Sequence, residues 1–127
     1  MLDIDNFKRI NDKYGHLVGD KVLKHLVKNI KDETREMDNI IRYGGEEFII
    51  LLSGTSLEEG GVVAEKIRES IENSPVYLEN NKKMKYTISI GVTQFEINLH
   101  KDMKNLINDV DQKMYLAKEL GKNRVQT

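Results

Sequence analysis

A chain of 127 residues can bury one real core and favours a single compact domain. Charged residues make up 32% of it, yet the signs cancel to a net charge of -1, so the electrostatics of a bulk nucleic-acid or membrane binder are missing. The absence of cysteine excludes disulfides and thiolate metal sites; the longest strongly apolar run, Phe48–Leu52, is far short of a membrane span; and "MLDIDNFKRI" turns polar too early for a signal peptide.

In chain order, Met1–Ile4 reads as the tail of a strand. Asn6–Tyr14 reads as a short helix with Asp5 as N-cap, broken at Gly15. Val18–Lys31 is a stronger helix, with Val22, Leu23, Leu26, Val27 and Ile30 in one apolar stripe. After the charged connector "KDETREMD", Asn39–Tyr43 and Glu47–Leu52 read as strands joined at Gly44-Gly45, a tight-hairpin signal because both turn residues can take positive φ. Leu57–Glu72 is an amphipathic helix with Val63, Ile67 and Ile71 inward, ended by Pro75. Val76–Leu78 is a minor strand, "ENNKK" a turn, and Tyr86–Phe95 a β-rich run. Met103–Leu120 is the last helix, with Leu106, Ile107, Val110 and Met114 inward and Gly121 at C′; Val125 starts a short final strand. The order is β-α-α-β-β-α-β-α-β, an α+β chain with a mixed sheet flanked by helices.

Four stretches carry possible chemistry. In "DIDNFK", Asp3 and Asp5 share one face of a strand that runs into a helix N-terminus. Carboxylates and carbonyls there suit a hard divalent cation, and the free amides of Asn6, Phe7 and Lys8 suit an anion. By itself the pair is better accounted for by a capping Asp5 and a solvated Asp3. In "GGEEF", Glu46 at the turn can reach over the sheet's end toward Asp3, whereas strand parity sends Glu47 to the other face; two hydrophilic residues finishing a hairpin is the plainer account. In "NDKYGHLVGD", Asn11, His16 and Asp20 offer the donors and acceptors that a guanine edge requires, or simply a surface histidine and a capping acid. In "AKELGKN", Lys118 and Lys122 suit a helix C-terminus in any protein and could also hold a triphosphate tail.

Together, "DIDNFKRINDKYGHLVGDKVL", "RYGGEEF", "TISIGV" and "AKELGKN" resemble, in order and spacing over nearly the whole chain, the GGDEF family of diguanylate cyclases in its GGEEF variant. The resemblance implies a palm-like nucleotide cyclase (ferredoxin-like) fold and condensation of two GTP into cyclic di-GMP with release of two pyrophosphates. It implies that Asp3, the Ile4 carbonyl and Glu46 hold Mg²⁺ or Mn²⁺, that Glu46 is the base for the 3′-hydroxyl, and that Glu47 is the second required acid. Asn11 and Asp20 would read guanine with His16 nearby. Lys8 would stabilise charge on the α-phosphate beside the first-turn amides, Phe7 included. Lys118 and Lys122 would hold the β- and γ-phosphates; the family often has arginine where Lys122 stands, so a bidentate grip becomes a point charge. "REMD", Arg35–Asp38, resembles the family's RxxD product-inhibition site. Catalysis would need a homodimer, since the product is two-fold symmetric.

Before "DID" the family ordinarily carries a helix with a pattern like DxLTxLxNRR and the first half of the first strand. The chain is therefore expected to be one GGDEF domain, residues 1–127, truncated at its N-terminus, destabilised, and prone to borrow a strand or dimerise. An upstream sensor domain and a cytoplasmic location are typical of the family. Two further functions compete with the active cyclase: a silent receptor for cyclic di-GMP or GTP, and a ligand-free dimerisation module.

Overall fold

The computed structural model describes residues 1–127. The elements are β1 (Leu2–Ile4), α1 (Phe7–Tyr14), α2 (His16–Glu33), β2 (Asn39–Arg42), β3 (Glu47–Leu51), α3 (Leu57–Asn73), β4 (Val76–Tyr77), β5 (Lys83–Met84), β6 (Ile88–Gly91), α4 (Met103–Glu119) and β7 (Val125–Gln126). Five strands form a mixed sheet in the order β2-β3-β1-β6-β7; β4 and β5 make a separate small hairpin. Within the sheet only β6 and β7 run parallel. This is the expected α+β architecture, a mixed sheet flanked by helices.

The apolar periodicities decide which helix goes where. Val22, Leu26 and Ile30 of α2 and Ala64, Ile67 and Ile71 of α3 are all buried, and they pack with Leu2, Ile4, Phe48, Ile88 and Ile90 into the main core. A smaller cluster of Met1, Val110 and Met114, with Ile49 against it, joins α4 to the opposite face. Helix α4 sits on β6 and β7. It approaches so closely that a Cβ on Gly91 would lie 2.4 Å from the backbone at Met114 and Val110. Toward β2 that face is open, and Ile41, Tyr43 and Leu51 are exposed there. An apolar cavity of about 920 Å³ lies above it.

Strand β1 is short and central. Alternation points Leu2 and Ile4 into the main core and leaves Asp3 on the α4 side. Between α1 and α2, Gly15 has φ +87°, a conformation that favours glycine and lets the second helix start at once.

Three local expectations are corrected. Asp5 is not the α1 N-cap: Asn6 holds that position in a left-handed conformation, φ 57°, with no side-chain cap. Asp5 is instead buried and accepts from Thr87 Oγ1 (2.7 Å), Ser89 Oγ (2.7 Å) and the Asn123 amide (3.1 Å). Gly44 and Gly45 do not take positive φ. The connection spans 43–46, long enough to avoid a two-residue turn, and Arg42 ties it by donating to the carbonyls of Gly44 (3.2 Å) and Gly45 (2.7 Å). Finally, the β-rich run stops at Gly91. One more sheet bond forms, from the Val92 amide to Gln126. Thr93 then hydrogen-bonds Asp109 of α4, and Gln94 accepts from the Leu57 amide, so the chain leaves the sheet.

Candidate active site

The centre of the site is the end of β1. Asp3 is 5% exposed and pairs in register with Glu47 on one side and Ser89 on the other. Residues directly opposite in an antiparallel pair share a face. Glu47 therefore stands on the Asp3 face, which corrects the parity expectation. Glu46 lies in the turn, as expected, its carbonyl accepting the Ile4 amide at 3.3 Å; it is the cross-strand pairing with Asp3 that fixes the face of Glu47. The Glu47 carboxylate folds over the hairpin: a Cβ on Gly44 would stand 2.6 Å from its Oε2. The first glycine and the second acid of "GGEEF" are thus a steric unit, with Gly44 making room for Glu47.

Charge is concentrated at this point. Burial pushes the Asp3 carboxyl above its usual range, Lys118 pulls it back down, and the nearby Glu46 and Glu47 raise it again. The Lys118 ammonium lies 2.8 Å from Asp3 Oδ1. Three acids thus share this rim with one close lysine, although no three of them converge into a preformed metal cage. Oxygen-only donors with excess negative charge fit a hard divalent cation.

Immediately beyond β1 is the α1 N-terminus. Its first-turn amides have no side-chain cap, so they are free to meet an anion. Lys8 is exposed there, and the side chain of Phe7 is buried in the core, leaving only its amide to the site. Lys122, arriving from beyond α4, donates to Asn6 Oδ1 at 2.7 Å. Lys118 and Lys122, more than a hundred residues along the chain from Asp3 and Asn6, thus reach both ends of the turn that joins β1 to α1, beside the first turn that carries Lys8.

The third part lies between α1 and α2. Gly19 faces Asn11 so tightly that a Cβ would come 1.9 Å from Asn11 Oδ1. That oxygen is buried and has no hydrogen-bond partner. An orphan buried acceptor calls for an explanation, and a ligand N–H is one. Asp20 follows Gly19 directly, and His16 lies one turn before it; both are exposed.

Arg35 and Asp38 lie elsewhere. They sit before β2, at the far end of the hairpin from Glu46; a four-residue strand spans about 13 Å. Asp38 does not pair with the Arg35 guanidinium. Its carboxylate accepts from the backbone amides of Arg35 (2.9 Å) and Ser53 (3.3 Å). Arg35 is exposed and its side chain makes no hydrogen bond or ion pair.

Residues 1–124 match the family model described as "Diguanylate cyclase, GGDEF domain". The chain belongs to the GGDEF family. It is 46% identical over 125 residues to "Diguanylate cyclase A" of Treponema denticola, covering 98% of this chain and 33% of that protein. The active GGEEF domain of a diguanylate cyclase from Vibrio cholerae superposes with a TM-score of 0.89 at 38% identity, covering 98% of this chain and 78% of that one. The GGDEF domain of DgcB from Caulobacter crescentus, solved in complex with c-di-GMP, superposes with a TM-score of 0.90 at 28% identity, covering 98% and 71%. The chain spans about a third of the length of the Treponema relative. No helix in this GGDEF domain is long and apolar enough to cross a membrane.

The sequence reasoning missed Gly19, Ser89, Thr87 and Arg68, and gave Asn123 no role although it closes "AKELGKN". A glycine next to Asp20 inside an amphipathic helix was the one available signal for a close approach. The hydroxyls and Arg68 act through contacts between distant segments, which leave no pattern along the chain.

Proposed function

We propose that this GGDEF domain is a diguanylate cyclase, condensing two GTP into cyclic di-GMP and releasing two pyrophosphates. One observation carries the proposal: Asp3, Lys118, Lys122 and the free amides of α1 meet at a single junction, with Glu46 and Glu47 on the same rim.

Phosphoryl transfer depends on positioning and charge stabilisation more than on covalent help. Asn11 and Asp20 hold the guanine edge, with His16 beside them and the orphan Asn11 acceptor taking an N–H. The triphosphate runs along the α1 N-terminus, where the amides of Phe7 and Lys8 and the lysines at 8, 118 and 122 offset its charge. Asp3, the Ile4 carbonyl and Glu46 are the groups that would hold Mg²⁺ or Mn²⁺. When bound, such an ion supplies charge neutralisation at the phosphates. The 3′-hydroxyl of one GTP gives its proton to Glu46 and attacks the α-phosphorus of the other. The new P–O bond forms as the bond to the pyrophosphate oxygen breaks. Repeating the step with the roles exchanged closes the ring, which requires two domains face to face around a two-fold axis.

The free Arg35 guanidinium, more than a strand length from Glu46, favours a second role. Its planar donor fork suits phosphate or a guanine edge. Cyclic di-GMP bound there by Arg35 and Asp38 inhibits the cyclase, and the same site would serve a receptor that has lost turnover.

Incubating the protein with GTP and Mg²⁺ or Mn²⁺ and weighing the products tests the reaction. Cyclic di-GMP is expected from wild type and not from Glu46→Gln; no product from a folded wild type overturns the proposal.

A further inference from the structure

We infer that Asn123 and Arg68 are positioning residues that hold Lys122, and the α4–β7 loop that carries it, against the phosphate-binding junction. The inference rests on the cyclase reading of that junction and assigns it a brace built from α3, the β1–α1 turn, the start of β6 and the segment after α4.

Helix α4 closes with two capping bonds, from the Gly121 amide to the Lys118 carbonyl (3.3 Å) and from the Lys122 amide to the Ala117 carbonyl (3.0 Å). Gly121 takes φ +116° there, as such a cap requires. The backbone should then recover ordinary φ, but it does not. Lys122 has φ 64° and Asn123 φ 47°, and the residue that Lys122 contacts, Asn6, has φ 57°. Asparagine takes left-handed backbone readily, whereas for lysine it is disfavoured and calls for surroundings that hold it there.

The surroundings here are specific. Asn123 turns its amide N–H and both polar atoms of its side chain inward. Its amide N–H donates to buried Asp5 at 3.1 Å, its Oδ1 accepts from Arg68 Nη1 at 2.9 Å, and its Nδ2 donates to Glu72 Oε1 at 2.7 Å. Arg68 has a side chain only 11% exposed and is itself clamped by Glu65 (2.7 Å) and Glu72 (2.8 Å) on α3. Asp5 is fixed from below by the Thr87 and Ser89 hydroxyls. Through this chain of contacts the left-handed turn is locked, and Lys122 is aimed back at Asn6 and the α1 N-terminus. Without the brace, Lys122 is a flexible side chain on a loop, and its charge would be spread over solvent rather than held at the phosphate position.

The brace predicts a phosphate-dependent defect. Asn123→Gly is the main variant, because glycine takes φ near +50° without strain and so keeps the turn while losing both side-chain bonds. Calorimetric titration with GTP, GDP and GMP is expected to show GTP and GDP binding weakened at least fivefold and GMP binding within twofold of wild type. Lys122→Gln is expected to give the same pattern, and adding it to Asn123→Gly should cost little more, since both remove one function. Arg68→Lys keeps the charge but loses the fork and should reproduce the Asn123→Gly pattern. Equal losses for GTP and GMP, no loss for GTP, or an unfolded Asn123→Gly protein each assign Asn123 a merely structural place and overturn the inference. A wild type whose affinity does not rise from GMP to GTP overturns the triphosphate reading of the lysines, and this inference with it. A wild type with that rise, preserved in Asn123→Gly, overturns this inference alone.

Discussion

Gly19→Ala separates recognition from stability. The added methyl would lie 1.9 Å from Asn11 Oδ1, 3.0 Å from Asn11 Cγ and 3.3 Å from Phe7 Cζ. The first two atoms end a flexible side chain whose oxygen has no partner to lose, so Asn11 rotates away. Phe7 needs to shift by only a few tenths of an ångström. Alanine in a helix is favoured over glycine by up to about 1 kcal/mol, and that gain offsets the repacking. Net stability should change by less than about 1 kcal/mol, or roughly 4 °C in Tm for a chain of this size. Guanine recognition has no such compensation. A hydrogen bond left unmade at a buried polar group costs about 1–3 kcal/mol, equivalent to about a 5- to 150-fold loss of affinity. Titrations with GTP and ATP, beside a melting curve, measure both quantities. GTP affinity should fall toward that of ATP while ATP binding and Tm hold. Full GTP affinity combined with a Tm drop of more than about 8 °C would show that Gly19 serves packing alone and that Asn11 does not read the base.

Gly91→Ala should behave in the opposite way. Its methyl would meet α4 backbone at 2.4 Å, which cannot rotate aside, so urea unfolding should show a loss of about 2–3 kcal/mol. Asp3→Asn should abolish cyclic di-GMP formation yet raise stability at neutral pH, because the folded carboxyl titrates above its unfolded value and its ionised form is the one the fold disfavours. The sign follows from that direction: the gain is full above the folded pKa and vanishes as pH falls below about 4, where both states of the wild type are protonated. Melting curves from pH 3 to 8 check it. Arg35→Ala should leave Tm nearly unchanged, since its exposed side chain makes no hydrogen bond or ion pair, and should weaken cyclic di-GMP binding by tenfold or more in a direct titration. A divalent cation added with GTP should raise Tm in wild type and not in Asp3→Asn.

Much of this domain is legible along the chain because its signals are local. Helical stripes such as Val22, Leu26 and Ile30 repeat at the helix period, and the burial of those residues follows from it. Gly15 and Gly121 mark helix ends because only positive φ continues the chain there. Four short motifs in one order carried the family and the candidate site residues, since each couples a charge to a turn or a helix end. Sequence periodicity failed at Glu46 and Glu47: parity says only that neighbours in a strand face opposite ways, and which face Glu47 takes was set by its pairing with Asp3 across the sheet.

What only the tertiary structure decided is which distant groups share a charge. Lys118 reaches Asp3 because α4 packs over β6, and that packing depends on Gly91 having no side chain. Asp5 looked like a helix cap because caps are local and common; it became the hub of a brace because Thr87, Ser89 and Asn123 arrive beside it from eighty to more than a hundred residues away. The amino-acid sequence by itself determined the elements and the inventory of acids, amides and lysines, through spacing and local backbone preference. Folding determined the junction at which they meet, because burial beside β1 is what removes Asp3 from water and makes one lysine's position matter.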